Sequence, residues 1–600
     1  MEIMKPIAST DIPRGDDWLY EVKYDGYRCV LTWDRNGEVR LTSKNNKDLT
    51  AHFPEIVAFC EKQHENIIDW LPLKLDGELV VLNNAFQANF SWMQKRGRLK
   101  NSEPIKKAAE QRPAAFMAFD ILQIKGASLL IEKFTERKQS LKELFEKLPR
   151  NHRINMVSSY EKPDELWKII FDYKGEGMIA KKRNSKYIAG RSHRDWFKIK
   201  NWRTIRGFLT HYDHQNGYYS FNVFHNGEIH EVGKCKHGLD DESSGTLKQL
   251  FLTKGEKTSQ GYTLPPAICA QVHTLDLYKE ELREPEFVSL LPKISADTCS
   301  MANLQIDLAM IPERVGVSKT DKLFWPDPHF TKGDLLTYIR EISPYMLPTF
   351  KKRALTLIRC PDGVEDEHFY QKHLPDYAPD FIDSKNVGSE KIMICNHMDS
   401  LVWFANHGAL EYHVPFQTVD NANPVEIVFD LDPPSRKEFP LAIQAANVIK
   451  PILDDLGLLS FVKTSGNKGI QIHIPIPENS LTYDDTAIFT QAIAYTVESA
   501  YPDLFTTERM KKKRNGRLYI DYIQHGKDKT IIAPYSPRMT KEGTVATPLF
   551  WKEVNEHLRP EQFHIKNTLA RVQELGCPFS SYTEAGENQD LSKVIKLIKG

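Results

Sequence analysis

Glu21-Val22-Lys23-Tyr24-Asp25-Gly26-Tyr27-Arg28 is the stretch on which the reading of this chain turns. A lysine amine can attack the α-phosphorus of a nucleotide and hold it as a phosphoramidate, provided that it first sheds its proton. Cations crowded around Lys23 would lower its pKa and make this feasible at neutral pH. The pattern Lys-x-Asp-Gly is short, and it equally describes a charged turn between two strands. Working outward, residues 20–45 alternate as strands do, and Asp34-Arg35-Asn36-Gly37 carries the Asn-Gly signal of a tight hairpin. Lys23 is therefore predicted at a strand end beside a hairpin.

Four further groups follow in order: Asp76-Gly77-Glu78 in an apolar run over 73–82, Phe116-Met117-Ala118-Phe119-Asp120, Glu176-Gly177-Met178-Ile179-Ala180-Lys181, and Trp196-Phe197-Lys198-Ile199-Lys200. Residues 135–148 have helical spacing. Carboxylates such as Glu78 and Glu176 suit Mg²⁺, which seeks oxygen ligands and bridges phosphates. Lys181, Lys198 and Lys200 can neutralise a triphosphate and depress the pKa of Lys23. Lys198 and Lys200 share one strand face, because side chains alternate with period two. Phe119 can stack on a purine, although a lone phenylalanine is more often core packing.

In this order and spacing, residues 21–200 resemble the ATP-dependent DNA ligases of the covalent nucleotidyltransferase superfamily. The resemblance implies that Lys23 is the adenylated nucleophile. It places Glu21, Arg28, Lys44, Glu78, Phe119, Glu176, Lys181, Lys198 and Lys200 around ATP, with Glu78 and Glu176 as ribose or metal contacts and the lysines as phosphate ligands. Two departures stand out. Ser43-Lys44 replaces the family's Ser-Arg, which loses a bidentate fork for phosphate. Leu290-Leu291-Pro292-Lys293 replaces an Arg-x-Asp-Lys element after Arg283-Glu284-Pro285-Glu286-Phe287, so pyrophosphate orientation is expected to suffer.

Six hundred residues exceed a single core, and at roughly one domain per 100–200 residues three to five domains are expected. No apolar run is long enough to span a bilayer and the first residues lack a signal-peptide core, so a cytoplasmic, nucleoid-associated protein is expected. Eight scattered cysteines without a Cys-x-x-Cys pair argue against zinc and against a disulfide framework. Formal net charge is zero, so any polyanion site has to come from local charge segregation. Short strands with glycine turns over about 206–290 predict a small β-barrel, and irregular text over 294–314 predicts a linker. Beyond it, helices are predicted over 332–346, behind a Thr331 cap, and over 442–456, with a buried strand over 425–429.

That strand runs Val425-Glu426-Ile427-Val428-Phe429-Asp430-Leu431-Asp432, so both aspartates project from one face. Such a pair, with Asp521 as a third acid, suits two Mg²⁺ or Mn²⁺ ions about 3.5–4 Å apart. Ser465-Gly466-Asn467-Lys468-Gly469 suits a triphosphate cradle but is also an ordinary turn. Arg538 adds charge, and Arg509, Lys511, Lys512, Lys513, Arg514 and Arg517 form a basic run suited either to solvent or to a DNA backbone.

With Asp321-Lys322, Thr331-Lys332-Gly333-Asp334, Arg359-Cys360-Pro361-Asp362-Gly363 and Phe369-Tyr370-Gln371-Lys372-His373, residues 315–560 resemble the polymerase domain of the bacterial ligase D family, a relative of archaeo-eukaryotic primases. The resemblance implies Asp430, Asp432 and Asp521 as metal ligands, Ser465, Lys468 and Arg538 at the incoming nucleotide, and Lys322 with Lys332 around a 5′-phosphate. Gly408, Trp403 and Phe404 would be architectural. Gln471 stands where the family commonly has histidine, with His473 two residues on, so triphosphate affinity is expected to fall; Lys319 replaces an expected asparagine. The fold expected is α+β and multidomain: a nucleotidyltransferase (ATP-grasp-like DNA ligase) domain over 1–203, an OB-fold over 204–293, a linker over 294–314 and a primase-like polymerase domain with an RRM-like core over 315–600. By resemblance this is the two-domain form, without a phosphoesterase module. It would use ATP and Mg²⁺ or Mn²⁺, add NTPs or dNTPs to broken or gapped DNA ends, seal them, and act as a monomer with a bacterial Ku homodimer. An RNA ligase or capping enzyme with a primase-like domain is the alternative, and a decayed DNA-end scaffold a third.

Overall fold

The structure, a computed structural model, describes residues 2–149, 153–190 and 194–599. It divides into two compact units, Met1–Leu304 with Gln573–Gly576, and Gln305–Val572 with Cys577–Gly600. Among the described residues no helix is long and apolar enough to cross a membrane.

The first unit contains two sheets whose connection positions Lys23. One runs Ile7–Ala8, Trp196–Lys200, Gly177–Lys182, Trp18–Lys23 and Ser159–Tyr160; the other runs Ile154–Met156, Ala115–Ile124, Leu73–Val80, Tyr27–Trp33 and Val39–Ser43. The chain leaves the first sheet after Lys23 and enters the second at Tyr27, so Tyr24-Asp25-Gly26 is the crossover. Gly26 is needed there because a Cβ would meet the Leu79 carbonyl oxygen at 2.1 Å. Tyr20 and Val22 pack on Leu166 and Ile170 of the helix Pro163–Asp172, which leaves Glu21 and Lys23 on the other face. The predicted hairpin is present: Trp33 pairs with Val39, and Gly37 has φ +87°. The helix predicted over 135–148 spans Phe134–Glu146.

A six-stranded antiparallel sheet follows, built on Arg203–Asp213 and Gly261–Thr274. Three register shifts bend it, and the Phe287 N–H donates to the His237 carbonyl at 2.7 Å, which brings the last strand, Glu286–Leu290, beside the end of the strand Glu228–Cys235. The helix Asp241–Lys254 interrupts the strands and was not anticipated, since it buries only Leu247 and Phe251 and shows little periodicity. Nor is the stretch over 294–314 irregular. It contains the helix Met301–Ala309, within which the division between the units falls, and buries Leu304, Leu308 and Ala309.

In the second unit a six-stranded sheet runs Phe505–Thr506, Leu518–Asp521, Glu426–Asp432, Ile470–Pro475, Phe461–Thr464 and Pro548–Leu549. Ile427, Phe429 and Leu431 face a core with the helices Phe439–Asp455 and Tyr483–Ala500. Asp430 and Asp432 are thereby held on the opposite face. A four-stranded sheet carries Ala409–Pro415 and Thr530–Ile532 at its pairing edge. The predicted helix Lys332–Met346 begins at Thr331, whose hydroxyl accepts from Asp334 N–H. Gly408 has φ +80° and its carbonyl accepts from Cys360 N–H at 2.8 Å, while Trp403 and Phe404 are buried.

Gly177, beside Glu176, has φ +152°, and a Cβ there would meet the Ile199 carbonyl oxygen at 2.1 Å. Gly177→Ala is expected to destabilise the first unit by about 1–3 kcal/mol. Calorimetry of the full chain should show one transition shifted to lower temperature, and an unshifted melt rejects the assigned strain.

Candidate active sites

In the first unit a cleft of about 590 Å³ is lined by Glu21, Lys23, Arg28, Lys44, Glu78, Phe119, Lys181 and Lys198 among others. Lys23 Nζ donates to the Glu176 carboxylate, which brings together two residues 153 positions apart. Burial pulls the Lys23 pKa down, but Glu176, Asp25 and Glu78 together raise it above the ordinary lysine value. The expectation that neighbouring lysines depress it is therefore corrected: acids, not cations, are its nearest charges. Glu176 Oε2 is buried without a hydrogen-bond partner. Glu78 is pushed up to about 8 by burial, with Glu176 and Asp25 adding to it against Arg28 and Lys23.

Arg28 is anchored rather than free. Its Nε and Nη2 donate to Asp76 at 2.7 and 2.6 Å, and its guanidinium lies 4.3 Å from the centre of the Phe119 ring. Asp76 also accepts from Tyr187 Oη at 2.6 Å. Glu21 is buried between Lys138 and Lys181, each at 2.5 Å, and accepts from Ser159 Oγ at 2.8 Å. Burial raises its pKa, yet Lys138 and Lys181 bring it below the ordinary value. Lys181 is pulled down to about 8, by burial first and then by Lys138 against Glu21. It lies 4.4 Å from the Phe119 centroid and 4.3 Å from that of Trp196, so it meets the cleft beside the aromatic wall rather than as a free phosphate ligand. Lys200 is likewise engaged, with Glu284 at 2.6 Å, while Arg283 binds Asp25 at 2.7 Å. Among the described residues, Lys5, Lys44 and Lys198 line the cleft without an ion pair, which leaves them as its available cations.

The second unit has a cleft of about 240 Å³ lined by His413, Asp430, Asp432, Ser465, Lys468, Gln471 and Arg538 among others. Asp430 lies opposite Asp521 on one neighbouring strand and opposite Gln471 on the other. It is raised to about 6 by burial, with Asp521 and Asp432 adding to the effect against Gln471 and Lys463. Asp432 is paired with Lys468 at 2.8 Å and Arg514 at 3.3 Å. Consequently, among the described residues no three acid, histidine or cysteine side chains enclose a common point for an ion as they stand. Ser465 Oγ accepts from Gly469 and Asn467 N–H, so it shapes the turn, and Arg538 pairs with Glu411.

Elsewhere in this unit Lys322 binds the Pro361 carbonyl and the Asp362 carboxylate. Lys332 Nζ donates to the Ser318 carbonyl at 2.7 Å, and burial, Lys322 and Lys319 pull its pKa down to about 8. Arg514 and Arg517 of the basic run are tied to backbone carbonyls, whereas Arg509, Lys511, Lys512 and Lys513 are exposed. His473 does not reach the cleft: it is buried against Glu426, which also binds Arg353 and Tyr582. The cation beside Gln471 is instead Lys463, fully buried and pulled down to about 7 by burial first and by Arg538.

A Bacillus subtilis bifunctional non-homologous end joining protein, LigD, is 40% identical over 605 residues, covering 99% of this chain and 99% of that protein. The chain belongs to the LigD family. The ATP dependent DNA ligase domain is matched over residues 3–200 and the LigD primase-polymerase domain over 331–579. The chain is thus a bifunctional enzyme, an ATP-dependent DNA ligase joined to a primase-like polymerase. The RNA-ligase and scaffold alternatives fall. A Pseudomonas aeruginosa multifunctional LigD is 24% identical, covering 97% of this chain and 72% of that protein. A solved polymerase domain of Mycobacterium tuberculosis ligase D in complex with DNA is 29% identical, with TM-score 0.42, covering 44% of this chain and 96% of that one.

Motif order alone does not reveal His413, which lines the second cleft, or Asp76, Lys138 and Lys463, which bond to the cleft residues Arg28, Glu21 and Gln471. Asp76 had a signal, since it shares a strand face with Glu78. Glu176→Gln removes the main charge that raises Lys23, so the Lys23 pKa is expected to fall. Mass-resolved acylation across pH should show about tenfold more labelling of Lys23 near neutrality. An unchanged profile rejects the pairing.

Proposed function

We propose that the first cleft adenylates Lys23 and the second adds nucleotides, so that the protein fills and then seals DNA ends. The observation that carries the reading is Lys23 bonded to Glu176 within a cleft that also offers Phe119 and the unpaired Lys44 and Lys198. With ATP bound, Glu176 takes the Lys23 proton, and the freed lone pair attacks the α-phosphorus. The bond to the β-phosphate oxygen breaks and pyrophosphate leaves. AMP then passes from Lys23 to the 5′-phosphate of a DNA strand, and the 3′-hydroxyl of its neighbour displaces AMP.

Crowded acids in each cleft leave negative charge that fits Mg²⁺ or Mn²⁺, held by Glu78 and Glu176 in one and by Asp430, Asp432 and Asp521 in the other. Bound there, such an ion supplies charge neutralisation and a more acidic attacking hydroxyl. Lys468 and Arg538 face the triphosphate of an incoming NTP or dNTP, with Ser465 shaping the turn beneath it. Lys319, Lys322 and Lys332 suit a recessed 5′-phosphate, a reading supported by the lowering of the Lys332 pKa by burial and by the two neighbouring lysines. Arg509, Lys513 and Arg517 line a groove of about 880 Å³, with the exposed Lys511 and Lys512 adjoining in the chain, a set suited to the phosphate backbone. Family resemblance supports a bacterial Ku homodimer as partner and a monomeric, nucleoid-associated working form.

On a 5′-phosphorylated gapped duplex, Lys23→Ala is expected to abolish covalent AMP and sealing while nucleotide addition continues. Asp430→Ala should give the opposite pattern. Sealing by the first variant, or addition by the second, overturns the corresponding assignment.

A protonated Lys332 binds phosphate, so affinity is complete below its pKa of about 8 and is lost as pH rises through it. The preference for a phosphorylated over an unphosphorylated gap should fall about tenfold by pH 9, and Lys332→Arg should flatten the profile. A flat wild-type profile rejects the pocket. In a separate measurement, converting Lys511, Lys512 and Lys513 to Gln should weaken DNA binding and reduce its salt slope by about one per lost phosphate contact. An unaltered slope leaves that run in solvent.

A further inference from the structure

Asp430, Gln471 and Lys463 form one rung across three strands on the polar face of the second unit's large sheet. Lys463 Nζ donates to Gln471 Oε1, and Gln471 Nε2 donates to Asp430 Oδ1 at 3.1 Å. An ammonium only donates, whereas a glutamine amide has a donor end and an acceptor end of nearly equal shape. Whichever end meets Lys463 has to be the oxygen, so the nitrogen is forced to face Asp430. Without Lys463 the Asp430 carboxylate alone selects the amide nitrogen, and the outer end of the Gln471 amide has no partner in the rung to hold it.

Stability does not explain Lys463. Its side chain is fully buried, its only other hydrogen bond is to the Thr464 carbonyl at 3.5 Å, and among the described residues no carboxylate lies within ion-pair distance. Burying a cation without a carboxylate is unfavourable, and an apolar side chain of similar length would suit the core better. Arg538, also lining the cleft, adds repulsion. What the position does provide is a donor aimed along the rung toward Asp430.

We propose that Lys463 is a positioning residue for nucleotide addition: by fixing the orientation of the Gln471 amide it keeps a hydrogen-bond donor on Asp430 and holds that carboxylate in place opposite Asp521. The inference rests on Asp430 being an acid of the adding centre. Gln471 in this chain is then not a weakened substitute for a charged residue but the middle of a relay whose charge sits one strand further in.

The test is a double-mutant cycle in the full chain, with nucleotide addition read on a gapped duplex and Lys23 adenylation as the folding control. Lys463→Met and Gln471→Met should each lower kcat for addition about tenfold or more with little change in the nucleotide KM. The double variant should lose no more than either alone, because both remove the same relay. Lys463→Arg, which keeps the donors, should retain most activity, whereas Lys463→Gln, which can present either amide end to Gln471, should not. Additive losses, an unaffected Lys463→Met, or equal behaviour of the Arg and Gln variants overturns the proposal. If Lys463→Met lowers the melting temperature, the Arg and Gln pair decides. Asp430→Ala separates the two levels: continued addition by that variant removes the parent reading, whereas its loss beside an active Lys463→Met removes only the relay.

Discussion

Period-two alternation on strands with one apolar face is the constraint on which both catalytic clefts depend. In the first unit Tyr20 and Val22 are committed to a core, which places Glu21 and Lys23 in the cleft. In the second, Ile427, Phe429 and Leu431 do the same for Asp430 and Asp432. A slip of one residue in either strand would send the chemistry into the core and the core into water, so register is fixed by the hydrophobic effect and not by the charged groups themselves. The chemistry is thus carried at positions that packing has already determined.

Charges placed in this way need counter-charges, and the degree of burial sorts them into two kinds. Arg137 and Asp120 are wholly buried and bidentate, and Arg28 with Asp76 nearly so. Breaking such pairs costs about 3–5 kcal/mol, which makes them scaffold. Lys23 with Glu176, Asp432 with Lys468, and Lys322 with Asp362 retain some exposure on at least one partner. More exposed pairs are worth about 0–1 kcal/mol, so a phosphate can replace one partner at small cost. The clefts therefore hold their reactive groups in neutralised, exchangeable pairs, framed by pairs that do not exchange.

Local signals in the sequence were reliable where the deciding residues are neighbours in the chain. Asn36-Gly37 marked the hairpin, Thr331 the start of a helix, and the alternation from Glu426 to Asp432 the catalytic strand. Signals failed where the partner is distant. Lys138 and Glu21 are 117 residues apart, and Lys23 and Glu176 are 153 apart, so which charge lies nearest was not visible from motif order. The pKa direction of Lys23 differs from expectation for that reason: Glu176, Asp25 and Glu78 surround it in space, whereas the lysines of the motifs are nearer in the reading order than in the fold. The helix Asp241–Lys254 escaped notice for a different reason, because two buried residues in four turns leave almost no periodic trace.

Departures from a family pattern look like losses when each position is considered alone, and in this fold they are better understood through their neighbours. Leu290 pairs with Ala270 in the sheet, and Leu291 packs against the cluster of Phe208, Cys269, Ala296 and Cys299, so the segment that lacks Arg-x-Asp-Lys serves as wall. Lys44 keeps its charge at the cleft mouth with no ion pair among the described residues, which preserves attraction to phosphate while giving up the planar fork. Gln471 removes a ring nitrogen from the second cleft, but Lys463 stands directly across from it on the next strand. Because cross-strand neighbours share a face, a cation moved from one strand to the next remains within the same electrostatic field. The field at a cleft is set by all the residues that share a rung, so one position considered alone does not give it.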